Sequence, residues 1–449
     1  MAKENRFSDL PDSVLIHILS MMCKNSEDSK EVVRTSVLSK QWQFLWKSVP
    51  VPLDFYLEEN FLDDDMQEMV NFTHRELHYF RSFDKIRKLE LIFDFYKPED
   101  FVEDIDLWIY VATELGKVED LILECECGYE FPQFAYKNAT LRNLDLRFCT
   151  VNPLANVNWS GIVSLSFSNM CLKDGVMKKI LSGCPNLECL KLYDLHGLHR
   201  LRISNVKLRK LVIKDLTYDD ECGQWLVIIA PHIKDLEILG LCRGIRLRNV
   251  DSLVTAVLDF NLNFEEDQSK RKSRESTCLK YIFQSVAHIK KLELGCWCSE
   301  YLSILELDGW QPQPSTWKFL QLSTTLRQLD FPGISSYLQS SSHLETLVID
   351  GYNESRAQLL RYTSEDEQVK RFERHDFSGS FRHLRTIEIL DFSVSMLPFV
   401  EYLLKHASVL EKIVIVPRSK SSDAYVEIVK EFLRFPRSSS SVTLCLKLD

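Results

Sequence analysis

No run of this sequence is apolar for long enough to cross a bilayer. The longest apolar runs, such as Trp225 to Ala230, fall far short of the ~20 residues a spanning helix needs. The first ten residues, MAKENRFSDL, lack the apolar stretch of a secretory signal, so neither export nor a membrane partner is expected. A basic surplus is missing as well. The formal net charge is −10, which argues against a nucleic-acid partner, because phosphates are bound by clustered Lys and Arg. The cysteines lack even number and regular spacing: there are 13, which fits free thiols in a reducing compartment and an expected location in the cytoplasm or nucleus. Phosphate loops, dinucleotide fingerprints and nucleophile elbows are also absent. No cofactor, metal or catalytic residue is therefore expected, and the chain reads as a non-enzyme.

The 449 residues, 45% hydrophobic and 27% charged, are ordinary for a soluble globular protein and long enough for two or three domains or one repeat array. The basic run Lys270-Arg271-Lys272-Ser273-Arg274 reads as a solvated loop, with a nuclear-import patch as the alternative. His74 and His78 have helical zinc-ligand spacing, but Glu76 is misplaced for a zinc protease motif. Cys125/Cys127 and Cys296/Cys298 would each share one strand face without completing a four-ligand set. His232, His288, His343 and His383 stand at turn positions, and Glu58, Glu59, Asp63–Asp65 and Glu68 form a solvated helix face.

Residues 9–22, DLPDSVLIHILSMM, predict a helix capped by Asp9 or Asp12, with Pro11 in the first turn where its missing N–H is harmless. Val14, Leu15, Ile18, Leu19 and Met22 fall on one stripe. A second short element carries Val32 and Val33. A third, SVLSKQWQFLW, has Ser39 as a cap and Leu38, Trp42, Leu45 and Trp46 near one face. Three helices in about 40 residues cannot bury all of these side chains by themselves. They either pack on the rest of the chain or await a partner.

From residue 86 a different pattern repeats: an apolar residue followed by apolar residues at i+3 and i+5. It starts at Ile86, Val118, Leu141, Ile162, Leu187, Leu208, Ile233, Ile289, Leu326, Leu344, Leu384 and Leu410, and the i+3 residue is Leu in ten of these twelve units. This is the core of a leucine-rich repeat, one parallel strand per unit. The i+8 positions (Cys149, Met170, Leu195, Leu216, Leu241, Trp297, Ile334, Tyr352 and Phe392) read as buried in the turn after the strand. Leu253, Ala256 and Leu258 make a degenerate unit. Spacings between starts run from 18 to 56 residues, which leaves polar insertions at Asn261 to Thr277 and Gly351 to Gly379. These are either edge segments that carry recognition or plain spacers.

Alternation along each strand turns the i+4 residues away from the buried leucines. Six of them are acidic, including Glu237, Glu293 and Asp330, which predicts a negative inner face suited to a basic protein substrate. The competing expectation is that lysines at i+2 (Lys88, Lys210, Lys291, Lys412) neutralise them.

Three stretches resemble a known family. Leu10-Pro11, Val14-Leu15, Ile18-Leu19, then Arg34 to Trp42 (RTSVLSKQW) and Leu45-Trp46 are similar to the F-box of plant F-box proteins. The resemblance implies docking of a Skp-type adaptor, and through it a cullin, with Leu10, Pro11, Val14, Leu15, Ile18, Leu19, Val37, Leu38 and Trp42 supplying or supporting the contact. Two departures bear on affinity: the linker Cys23 to Glu31 is long, and Met21-Met22 stand where aliphatic residues are usual. The run Cys184-Pro185-Asn186-Leu187-Glu188-Cys189-Leu190 is similar to a segment of plant F-box repeat proteins. His383 to Ile389, Tyr402-Leu403-Leu404, Leu410-Glu411-Lys412 and Phe435-Pro436-Arg437-Ser438 resemble the FBD region of the same family.

The expected fold is α/β: a three-helix F-box over residues 1–50, an irregular leucine-rich-repeat solenoid with a curved parallel sheet over 51–375, and an FBD-like cap over 376–449. The resemblance implies a substrate-recognition subunit of a Skp-adaptor/cullin/RING ubiquitin ligase, holding an unknown protein target. The alternative is a repeat-based interaction or ligand-sensing module not coupled to ubiquitination.

Overall fold

The repeated leucines set the architecture. In the computed structural model the i+3 and i+5 pair of every unit but the one at Leu326 lies on one strand, and neighbouring strands run parallel in a register that stacks equivalent residues. The chain divides into two compact units, Met1–Leu198 with Asn205–Leu208, and His199–Ser204 with Arg209–Asp449. The structure describes residues 10–23, 28–58, 63–80, 86–94, 101–125, 128–216, 225–262, 268–324, 326, 330–351, 363–418, 430–432, 434–439 and 442–447. Asp9, Cys127 and Tyr352 lie outside these residues.

In the first unit, helices α1 (Asp12–Met22) and α2 (Asp28–Arg34) precede two 3-10 turns, Thr35–Val37 and Leu45–Ser48. The third expected helix is thus built of short turns, and Ser39 caps no α-helix. Pro11 occupies the N-cap position of α1, whose first turn holds Asp12. Six parallel strands follow in chain order: β1 (Val51–Glu58), β2 (Ile86–Asp94), β3 (Asp120–Cys125), β4 (Asn143–Arg147), β5 (Ser164–Cys171) and β6 (Cys189–His196). Leu53, Leu89, Leu121, Leu144, Leu165 and Leu190 align across all six. Each is sealed from solvent, and burial of one such side chain is worth about 2–3 kcal/mol. Helices α3 (Asp63–Phe80), α4 (Val102–Tyr110) and α5 (Asp174–Ser182) occupy connections between the strands. Strand β1 escapes the sequence pattern because Pro50 and Pro52 flank its first positions.

The second unit repeats the plan with β8 (Lys210–Lys214), β10 (Asp235–Cys242), β12 (Thr255–Leu262), β13 (Lys291–Leu294), β14 (Phe319–Thr324), β15 (Thr346–Gly351), β16 (Thr386–Phe392), β17 (Lys412–Pro417) and β18 (Thr443–Leu446), in that spatial order. Short strands β7 (Arg200–Arg202), β9 (Leu226–Ile229) and β11 (Ile245–Arg248) form a separate small parallel sheet. The degenerate unit is real: Ala256 and Leu258 are buried on β12, in register with Leu236 and Ile238. The pairing β15–β16–β17–β18 carries the ladder straight across residue 376, so the FBD-like segment supplies further strands to the same sheet.

Several expectations change here. The unit expected at Leu326 is displaced: β14 ends at Thr324, and its buried set is Trp317, Leu320 and Leu322, with Trp in the place where a leucine is usual. Phe331 and Ile334 belong to helix α8 (Phe331–Gln339), which carries Pro332 in its first turn. Proline lacks the N–H a central strand requires but is well suited to a helix start. The basic run 270–274 lies on α6 (Gln268–Ser285) instead of a loop, with Arg271 paired to Glu275 at 2.8 Å and Lys272 to Asp308 at 2.8 Å. The described part of the second insertion forms α9 (Glu365–Arg374), opened by a Ser364/Glu367 capping box. Cys296 and Cys298 begin helix α7 (Cys296–Leu307) and share no strand. Helix α10 (Leu397–His406) connects β16 to β17.

The turns after the strands have a recurrent conformation. Phe148, Asn169, Asp194, Asp215 and Asp391, all at i+7, adopt positive φ of 46–58°, and Gly240 takes 72° at the same place. This left-handed step reverses side-chain direction, and Cys149, Met170, Leu195, Leu216 and Phe392 at i+8 are buried as expected. Leu241 is the exception: it is exposed, and Cys242 fills the core instead.

Candidate functional site

In the N-terminal module, spacing along α1 separates two faces. Leu15, Leu19 and Cys23, four residues apart, are buried with Val32, Trp42 and Leu45. Burial pushes the Cys23 thiol up to about 11, so it behaves as a core residue instead of a nucleophile. The amide of Gln41 donates to the Leu10 carbonyl and to Asp12 Oδ1, both at 3.0 Å, tying the start of α1 to the turn segment. That clamp holds an apolar surface outward. Val37 is 85% exposed, Leu38 65% and Val14 40%. Pro11 is exposed and Leu10 and Ile18 are half-buried. Of the nine residues expected to supply or support docking, Leu15, Leu19 and Trp42 are buried in the module's own core, and the other six are at least partly accessible. Phe44 is exposed as well.

On the strand faces of both units, several acids are met by bases. Lys88 bridges Asp54 and Glu90, and Arg147 reaches Glu124 at 2.9 Å and Asp145 at 2.8 Å. Glu237 pairs with Lys210 at 2.6 Å and Glu293 with Lys291 at 2.8 Å. The neutralising role expected of the i+2 lysines thus holds at both glutamates proposed for substrate binding. Asp330 stands at the N-cap position of α8 and is buried, away from any strand face, because the unit that would have placed it on one is displaced.

Comparison with known proteins gives two domain matches. The F-box domain matches residues 7–54, and the LRR domain described as At1g61320/AtMIF1 matches residues 81–434. The chain belongs to the F-box/leucine-rich-repeat family. F-box/LRR-repeat protein At3g26922 of Arabidopsis thaliana is 32% identical over 310 residues, covering 66% of this chain and 94% of that protein. F-box protein At5g03100 of the same plant is 31% identical, covering 67% and 92%. The putative F-box/LRR-repeat protein At3g18150, also from Arabidopsis, is 27% identical over 98% of this chain and 91% of its own length.

Within this F-box/leucine-rich-repeat chain, acidity also remains uncompensated away from the i+4 positions. A cavity of about 370 Å³ in the second unit is lined by Asp259, Asp350, Phe260, Asn261 and Trp297. Neither Asp259 nor Asp350 has an ion pair among the described residues. Burial, followed by the charges of Asp391 and Asp259, raises the Asp350 carboxyl above its ordinary value. A raised folded-state pKa means that folding favours the neutral acid: the penalty is absent below the unfolded carboxylate range and grows as pH rises through the raised value. Asp350→Asn is expected to raise the melting temperature near about pH 7 and change it little near about pH 3; an equal gain at both would show that charge is not the cause. The signal for this site was available as an acid at i+6 in the units containing Leu253 and Leu344.

A larger groove of about 690 Å³ in the first unit mixes Lys117, Arg142 and Lys207 with Glu119 and Glu188, leaving no single sign of charge. His74 Nε2 lies 2.8 Å from Asp104, which accounts for it without zinc. Among the described residues no three His, Cys, Asp or Glu are grouped to hold a metal, and no helix is long and apolar enough to cross a membrane.

Proposed function

We propose that this chain is the substrate-recognition subunit of a Skp-adaptor/cullin/RING ubiquitin ligase, with no catalytic group of its own. The observation that carries the reading is the split in the N-terminal module: Val14, Val37 and Leu38 are presented to solvent while Leu15, Leu19 and Trp42 hold the module together. A small domain that spends its apolar residues on an outward face is built for a partner, and an F-box of this kind fits a Skp-type adaptor. The repeats then hold a protein target, and the chemistry is proximity: a captured lysine meets the ubiquitin-loaded enzyme at high effective concentration. Cytoplasm or nucleus is the proposed location, supported by the described cysteines, all of which are free thiols. Affinity capture of the wild type is expected to bring down the adaptor and cullin, and Leu10→Ala/Pro11→Ala is expected to bring down neither. Absence of the adaptor from the wild-type capture would overturn the proposal.

A further inference from the structure

Met21 and Met22, singled out in the sequence as departures from the F-box pattern, lie on the exposed side of α1. At about 100° per residue, Met21, Val14, Ile18, Pro11 and Met22 fall within an arc of about 100°, while Leu15, Leu19 and Cys23 occupy the next arc and are buried. The two methionines are 65% and 54% exposed. They extend the accessible apolar strip of Val14 and Ile18 by one helical turn. The other methionines whose side chains are described, Met170, Met177 and Met396, are sealed in the core at 4%, 1% and 1% exposure. Peroxide reaching the folded chain therefore meets these two thioethers before the three buried ones.

We propose that Met21 and Met22 are a reversible oxidation site that weakens adaptor docking, an inference that rests on the docking reading above. A sulfur lone pair forms an S–O bond as the O–O bond of hydrogen peroxide breaks. Sulfur loses two electrons, the peroxide gains them, and a proton shift lets the departing oxygen leave as water. The product sulfoxide is polar and chiral where the thioether was apolar and pliable. Covering it with an apolar partner surface strips water from an oxygen that has no donor to replace it. A dithiol-dependent sulfoxide reductase would restore the thioether, giving water and a disulfide.

The test measures the Kd of the full chain for a Skp-type adaptor before and after mild hydrogen peroxide. Mass spectrometry locates the added oxygen, and a melt confirms that the fold persists. Wild type is expected to weaken about tenfold or more. Met21→Leu/Met22→Leu, which conserves volume, is expected to show the same Kd before and after peroxide, whatever its starting value. Retained affinity with sulfoxide confirmed at both positions would overturn the inference, as would equal loss in the double variant. If the untreated wild type fails to bind the adaptor, the docking reading itself is overturned and this inference falls with it.

Discussion

Val37→Glu/Leu38→Glu is expected to abolish adaptor capture while leaving the melting transition within about 0.5 kcal/mol of wild type. Both side chains project from the turn after α2 and are mostly in solvent already, so glutamate there costs the folded chain little. In a complex the same carboxylates would be stripped of water against an apolar surface, a penalty of several kcal/mol and thus a loss of a hundredfold or more in affinity. Leu19→Ala should behave in the opposite way. Leu19 is sealed between α1 and the 3-10 turns, and truncation leaves a cavity costing about 3 kcal/mol, so its loss of capture should track loss of the folded module. Adaptor pull-down beside a urea melt for each variant separates the two. Full capture by the Val37/Leu38 variant would place the docking surface elsewhere on the chain.

Gly161→Ala and Gly175→Ala should have opposite signs. A Cβ at Gly161 would lie 2.2 Å from the Ala139 carbonyl oxygen and 2.7 Å from that of Leu141. Both are backbone atoms of the preceding turn and cannot rotate away, so the stacked repeats must part; overpacking of this kind costs about 3 kcal/mol. Gly175 lies in the first turn of α5, and a Cβ there meets nothing within 4 Å. Alanine at that position removes the entropic cost of glycine in a helix and should stabilise by about 0.5–1 kcal/mol. Chemical denaturation of the two variants checks both signs, and a stabilised Gly161→Ala would contradict the close approach of the turns.

Much of this fold was legible because a parallel ladder demands the same residue class at the same step. Leu89, Leu121, Leu144, Leu165 and Leu190 are visible as a period and align as a stack. Units were missed where a bulkier apolar residue replaced leucine, as with Trp317, or where proline disguised a strand start, as with Pro50 and Pro52. Helix α6 was hidden by its charged first half; the apolar stripe Cys278, Leu279, Ile282, Phe283 and Val286 that buries it begins only after that half. The left-handed i+7 turn left a readable trace in Asn169, Asp194, Asp215, Gly240 and Asp391, residue types that tolerate positive φ. The docking face was only half legible. A motif names the residues that recur, while the division between Val37 and Trp42 depends on how two helices and two turns pack.

The ladder that runs from β15 through β18 changes which strand edges are paired. Strand β18 is four residues long, with Leu444 and Leu446 half-buried, and a short strand gives little purchase to another molecule. A chain stopped at 376 would instead finish on β15, six residues with Leu347, Val348 and Ile349 in sequence. The amide and carbonyl groups that now pair with β16 would then offer a ready template for self-association. Strands β16 to β18 therefore cover an edge that β15 would otherwise leave open, as well as continuing the repeat.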